Sequence, residues 1–295
     1  MRAATKNVFH LIKLMRVYQW TKNGLVLAAL LFSLRSVHGT QITDGFIAFL
    51  SFCLASSAVY AFNDLIDIEQ DRAHPEKRNR PLPSGLVSAA SARALVAGLL
   101  AASVLLAWVV NLEFVAALGV YFALTVTYSL YLKHVVILDV LCVALGFVIR
   151  AMGGAVAVQV EFTNWLVVCT LFLALFLALS KRRNELSSLK GEAENHRVVL
   201  NDYSLSFLDQ LILIVAGGAI ITYTIYTCAP EVIERTGTDK LYVTIPFVVY
   251  GLFRYLFLIH RKDGGGDPSA TLLRDIPMAL TVLSWAGACA LIIYF

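Results

Sequence analysis

The chain has 295 residues, of which 59% are hydrophobic and 15% charged, with a net charge of +4. Soluble domains carry roughly 45–50% apolar and about 25% charged residues, so a mean hydropathy of +0.74 excludes a soluble globular enzyme, a disordered chain and a small secreted scaffold. The composition is that of an integral membrane protein.

Only helices and closed barrels cross a bilayer, because each backbone polar group must find its partner within the protein. The apolar runs are continuous rather than alternating, which predicts helices. Nine spans are expected, over 18–35, 45–62, 89–110, 113–132, 135–158, 162–180, 208–228, 241–259 and 276–294. The fold class is therefore an all-α membrane protein, one bundle taking up 1–295. The first span has a short apolar core, Leu25 to Phe32; its long polar lead and the lack of a small-residue cleavage pattern separate it from a signal peptide. Cys53, Cys142, Cys169, Cys228 and Cys289 all fall in apolar stretches without CxxC spacing, as small buried hydrophobes do.

With nine spans, 18 of the lysines and arginines fall on one side and 3 on the other. That asymmetry predicts a multi-pass protein of the plasma membrane with its N-terminus and its long loops, 63–88 and 181–207, in the cytoplasm. An active surface is expected on that face. No low-complexity tract or fixed-period repeat is present.

The second span runs directly into Asn63-Asp64-Leu65-Ile66-Asp67-Ile68-Glu69-Gln70-Asp71. On a continuing helix Asp64, Asp67 and Asp71 stand at i, i+3 and i+7, and Asn63 at i−4 from Asp67, all on one face. Three carboxylates on one stripe repel each other and are costly at a membrane. A hard divalent cation removes that repulsion. Mg²⁺ takes oxygen ligands, one or two carboxylates and substrate phosphates, so the stripe reads as a Mg²⁺–diphosphate site with Asn63, Asp64, Asp67 and Asp71 as ligands. Arg72, His74, Lys77, Arg78 and Arg80 follow at once and suit a polyanion. Pro75, Pro81 and Pro83 predict an extended loop.

Further candidates lie near the same face. Tyr128 and Lys133 close span four, and Lys133 is placed to touch a phosphate. Asp139, at the start of span five, is expected to hold a second cation or orient a cationic ligand. Arg150 lies three turns on, about 16 Å along the axis and too far to pair with it; it would bind a lipid phosphate or lock a neighbouring helix. Lys22 sits beside Trp20 as an interface anchor or a substrate contact. Asn195-His196-Arg197 and the Gly264–Gly266 turn are candidate covers for the site.

The motif Asn-Asp-x-x-Asp-x-x-x-Asp at the end of the second span resembles the first aspartate motif of the UbiA superfamily of intramembrane prenyltransferases. In its extended form, NDLIDIEQDRAHPEKRNRP, it is similar to the decaprenyl-phosphate phosphoribosyltransferase branch. Gln19-Trp20-Thr21-Lys22-Asn23, Tyr128-Ser129 to Lys133, Gly146 to Ala151, Ser180 to Leu186 and Gly264 to Pro268 fit the same branch. The resemblance implies a nine-helix bundle around a central cavity. It also implies Mg²⁺-dependent transfer of phosphoribose from 5-phosphoribosyl 1-diphosphate to a membrane polyprenyl phosphate, with diphosphate released. The wider superfamily carries a second aspartate motif after span six. This chain has Lys181-Arg182-Arg183-Asn184-Glu185 there, a poor metal cradle but suited to one more phosphate, held by Lys181 and Arg182 near Glu185. Prenyl transfer to an aromatic or quinone acceptor is the second enzyme reading. A cation or lipid transporter is a remote third, which predicts mid-membrane charges and repeated halves. The expected partners are the sugar diphosphate, the lipid phosphate and the membrane, with no nucleic acid and homo-oligomerisation left open.

Overall fold

The computed structural model describes residues 2–31, 39–73, 77–161, 163–188, 198–261, 271 and 274–294, which are helical apart from turns and short connecting stretches. An N-terminal helix α1 (Arg2–Met15) leads into a 3₁₀ segment over Val17–Leu27 and the short α2 (Ala28–Leu31). Then come α3 (Gly39–Ile66), α4 (Ile68–Ala73), α5 (Ala89–Val110), α6 (Leu112–Leu130), α7 (Leu138–Ala157) and α8 (Asn164–Ser188). The chain continues through α9 (Leu205–Cys228), α10 (Pro230–Thr236), α11 (Ile245–Arg261) and α12 (Ile276–Tyr294). Among the described residues, eight helices are long and apolar enough to cross a membrane: α3, α5 to α9, α11 with the turn before it, and α12. They match eight of the nine expected spans, and the chain is a multi-pass membrane protein.

The first expected span, 18–35, is different. Its described part is the 3₁₀ segment followed by one turn of α-helix. Gln19, Lys22, Asn23 and Gly24 make poor transmembrane helix, and the segment wedges instead between α3 and α7. Trp20 donates to Ser57 Oγ of α3, and Asn23, wholly buried, donates to Ser56 Oγ and Cys53 Sγ. Such backbone is tolerated at membrane depth where protein surrounds it. The approach is close: a Cβ on Gly154 of α7 would lie 2.0 Å from the Val26 carbonyl oxygen.

α3 and α7 form the centre. Both bury rows of small residues (Ala48, Ala55, Ser56, Ala58 and Ala61; Ala144, Gly146, Ala151, Gly153 and Ala155). Small faces let membrane helices pack closely without a hydrophobic driving force. α5 and α12 sit outside and expose Leu105, Trp108, Val109, Leu280 and Leu283, as lipid contact requires. One core joins α3, α6 and the 3₁₀ segment around Phe52, Phe114 and Tyr121, and a second joins α8, α9 and α11 around Phe176, Ile212 and Tyr255. Helix starts are set locally. Ser88, Asn111 and Ser204 each cap by accepting from the amide three residues on, in Ser91, Phe114 and Phe207.

The loop after α4 is not extended as its prolines suggest. Residues 77–79 form a 3₁₀ turn, and further turns close through Ser84 N–H to Arg80 O and Val87 N–H to Pro81 O. The cause is Leu82, which is buried against Leu14, Ala61, Val87 and Ala92 and pulls the loop back onto α3 and α5.

Candidate active site

The acidic stripe forms much as its spacing requires. The helix pauses for one residue at Asp67, between α3 and α4, but hydrogen bonds from Asp67 N–H to Asn63 O (2.9 Å) and Asp71 N–H to Asp67 O (2.8 Å) carry the axis through. Asp64 and Asp71 are buried, each with 3% exposure. They converge on one cation: Arg80 Nη1 lies 2.7 Å from Asp71 Oδ2 and 3.3 Å from Asp64 Oδ1. Lys77 Nζ approaches Asp71 at 3.9 Å. Asp67, more open, takes a bond from Lys133 Nζ at 2.9 Å. The stripe thus faces Lys77 and Arg80 from its own loop and Lys133 from the α6–α7 junction.

Arg16 also reaches the stripe. It follows α1 in a left-handed conformation (φ 51°), pairs with Asp64 and lies over the Tyr60 ring. Nothing in its sequence neighbourhood marks it, because the contact spans 48 residues.

Among the described residues, no three acidic, histidine or cysteine side chains enclose an ion by themselves. The donor set is smaller: the Asp64–Asp71 pair, with Asn63 next to Asp64 in the chain. Asn63 Oδ1 is buried and accepts no hydrogen bond. A buried acceptor without a donor is costly, and an amide oxygen is among the ligands a hard cation takes. These residues fit Mg²⁺ held in part by substrate phosphate.

A second cluster lies where α7 and α8 meet. Asp139 is fully buried and accepts from Arg182 Nε at 2.6 Å and from Tyr203 Oη at 2.8 Å. Arg182 also donates to Glu185 (2.5 Å) and Tyr128 Oη (3.4 Å), so each of its three nitrogens faces a protein partner. This corrects two expectations. Asp139 is turned to Arg182 rather than toward a second cation, and Arg182 is spent on the protein rather than open to a phosphate; burial makes full pairing obligatory for both. Lys181 is the more open neighbour, 3.9 Å from Glu185. Burial holds the Tyr203 phenol above its ordinary value and the Asp139 carboxylate pushes the same way, so it remains a donor.

Arg150 is held by the protein on all three of its nitrogens. Nε donates to Asn23, Nη1 to Gly146 O and Nη2 to Tyr121 Oη, with the guanidinium over the Tyr121 ring. It ties α7 to α6 and the 3₁₀ segment, a helix lock and not an open phosphate site. Lys22 donates to Gln19 at 2.5 Å. Arg72 pairs with Glu69 on the surface and reaches Pro83 O, away from the stripe, and Arg78 is exposed. His74, Asn195 to Arg197 and Gly264 to Pro268 lie outside the described residues.

The model of the UbiA prenyltransferase family matches residues 24–283. The chain belongs to that family. Among its relatives, the decaprenyl-phosphate phosphoribosyltransferase of Mycolicibacterium smegmatis is 34% identical over 97% of this chain and 92% of its own length. The enzyme of the same name from Mycobacterium tuberculosis H37Rv is 31% identical over 96% of this chain and 94% of its own length. A UbiA homolog from Archaeoglobus fulgidus, solved with GPP and Mg²⁺, has a TM-score of 0.73 over 97% of this chain and 100% of that one, at 19% identity. That likeness shows the family fold, a helical bundle.

Proposed function

We propose that this chain is a Mg²⁺-dependent polyprenyl-phosphate phosphoribosyltransferase. It would move 5-phosphoribose from 5-phosphoribosyl 1-diphosphate to a lipid phosphate of the decaprenyl phosphate class. The observation that carries the reading is the contrast between two cytoplasmic segments in a chain similar to such enzymes end to end. One segment offers Asp64, Asp71 and the unpartnered Asn63 oxygen; the other, where a second acidic motif would serve prenyl diphosphates, has Lys181, Arg182 and Arg183 instead, with Lys181 the part-exposed one and both arginines paired to protein carboxylates.

Bound Mg²⁺ would neutralise the diphosphate and stabilise it as a leaving group. Asn63, Asp64 and Asp71 would hold the ion, with Asp67 keeping Lys133 at the edge of the stripe. Lys77, Arg80 and Lys133 would exchange carboxylate for phosphate oxygens as the donor enters, and Lys181 would take the second phosphate group. The lipid phosphate oxygen attacks ribose C1 as the C1–diphosphate bond breaks. A phosphate monoester is anionic at neutral pH, so no strong general base is required, and the protein works by positioning and electrostatics. One displacement inverts C1. The whole chain is taken as one unit, with N-terminus and site facing the cytoplasm, following the placement of its Lys and Arg. Purified protein given phosphoribosyl diphosphate and decaprenyl phosphate should form the β-configured phosphoribosyl lipid. Label transfer from a polyprenyl diphosphate to an aromatic acceptor instead would refute the reading.

A further inference from the structure

Ile137 is the residue just before α7, and its backbone stands at φ 69°, ψ −45°. A β-branched side chain rarely tolerates positive φ, and such strain persists only where the surroundings enforce it. Here one hydroxyl does so. The Ile137 N–H donates to Tyr203 Oη at 2.7 Å, across 66 residues of chain. The same oxygen donates its one proton to Asp139 Oδ1 at 2.8 Å. Tyr203 is itself 5% exposed, fixed in the core beside Val199 and Leu208 and stacked on Phe207. The Asp139 N–H returns to Val135 O at 3.0 Å and closes the strained turn.

The turn lies between two groups of the site. Four residues before Ile137 is Lys133, whose ammonium meets Asp67. Two residues after it is Asp139, which holds Arg182. A relaxed Ile137 would re-aim the backbone on both sides at once, because the two anchors share one short connection.

We infer that Tyr203 is a positioning residue: its hydroxyl clamps the strained Ile137 turn and so keeps Lys133 on the acidic stripe. Phenylalanine fills the same space but can neither accept the Ile137 amide nor donate to Asp139. Glycine at 137 adopts positive φ without steric cost, so it removes the need for the clamp. The consequence for turnover rests on the proposed phosphoribosyl transfer, but the geometry does not.

The test has two arms. In membranes carrying D67C/K133C in a Cys228→Ser background, a short bismaleimide reports how closely positions 67 and 133 approach, without any substrate. Adding Tyr203→Phe should slow crosslinking about three-fold or more, and adding Ile137→Gly as well should restore most of the rate, since contacts that share a backbone turn couple strongly. In the natural background, Y203F should raise the donor KM several-fold, less than Lys133→Gln does, while Y203F/I137G raises it less still, because a misplaced Lys133 holds the donor less well. Wild-type crosslinking in Y203F would overturn the inference. Wild-type crosslinking rates with no turnover in the parent protein would fault the proposed reaction alone. If Y203F does not fold, recovery of folded protein by Y203F/I137G supports the clamp, and failure to recover overturns it.

Discussion

Two clusters of charge, one at the end of α3 and one where α7 and α8 meet, are built on opposite plans. At the end of α3 the pairing is loose on its cationic side: the two carboxylates are buried, but Arg16, Lys77 and Arg80 are part-exposed. Asp64 and Asp71 share Arg80, Lys77 stands at 3.9 Å, and the Lys77 and Arg80 side chains are 37% and 34% exposed. The buried side-chain oxygen of Asn63, the residue before Asp64, lacks a donor. At the mouth of α7 and α8 the pairing is closed: Asp139 and Arg182 are 0% and 5% exposed and fully hydrogen-bonded. Loose, part-exposed pairs exchange partners readily, whereas a buried pair costs too much to open. In the proposed reaction the first cluster would receive the ligand and the second would hold the frame around it.

The largest effect should fall on the loose cluster. Asp64→Asn is expected to lower turnover by about two to three orders of magnitude, the scale of lost metal-assisted charge stabilisation, while elution and thermal unfolding stay near wild type. The closed cluster should behave the other way round. Arg182→Met strands a buried carboxylate, which costs about 3–5 kcal/mol and should appear as a lower unfolding midpoint in detergent; adding Asp139→Asn should recover part of it. If R182M melted like the wild type and lost only substrate affinity, the two clusters would not differ as described. Lys133→Gln sits between the extremes. It should raise donor KM about ten-fold, equivalent to about 1.4 kcal/mol, with little change in stability. Arg78→Gln, at an exposed side chain, should stay within about two-fold in both measures, as surface charges generally do.

The loose cluster was also the more legible one. Asp64, Asp67 and Asp71 repeat with the period of a helix, and the apolar run before them sets that helix, so local spacing was enough. Eight spans followed from hydropathy in the same way. The closed cluster was hidden because its partners come from α6, α7, α8 and the turn before α9, and no spacing rule joins Asp139 to Arg182 or Tyr203. Arg16 escaped for the same reason. The 3₁₀ form of the described part of the first span could not be read from hydropathy: Trp20 and Asn23 are satisfied by α3, a contact that only tertiary structure reveals. In the loop after α4, Pro81 and Pro83 pointed to extension, while one buried leucine between them decided the shape.

The measurement closest to the central claim follows labelled ribose from 5-phosphoribosyl 1-diphosphate into decaprenyl phosphate with purified protein, with chelator, with restored Mg²⁺, and with Asp64→Asn in parallel. The account predicts labelled lipid and an equal amount of diphosphate only when Mg²⁺ and Asp64 are both present. Labelled lipid formed at an undiminished rate under chelator, or by D64N, would contradict it.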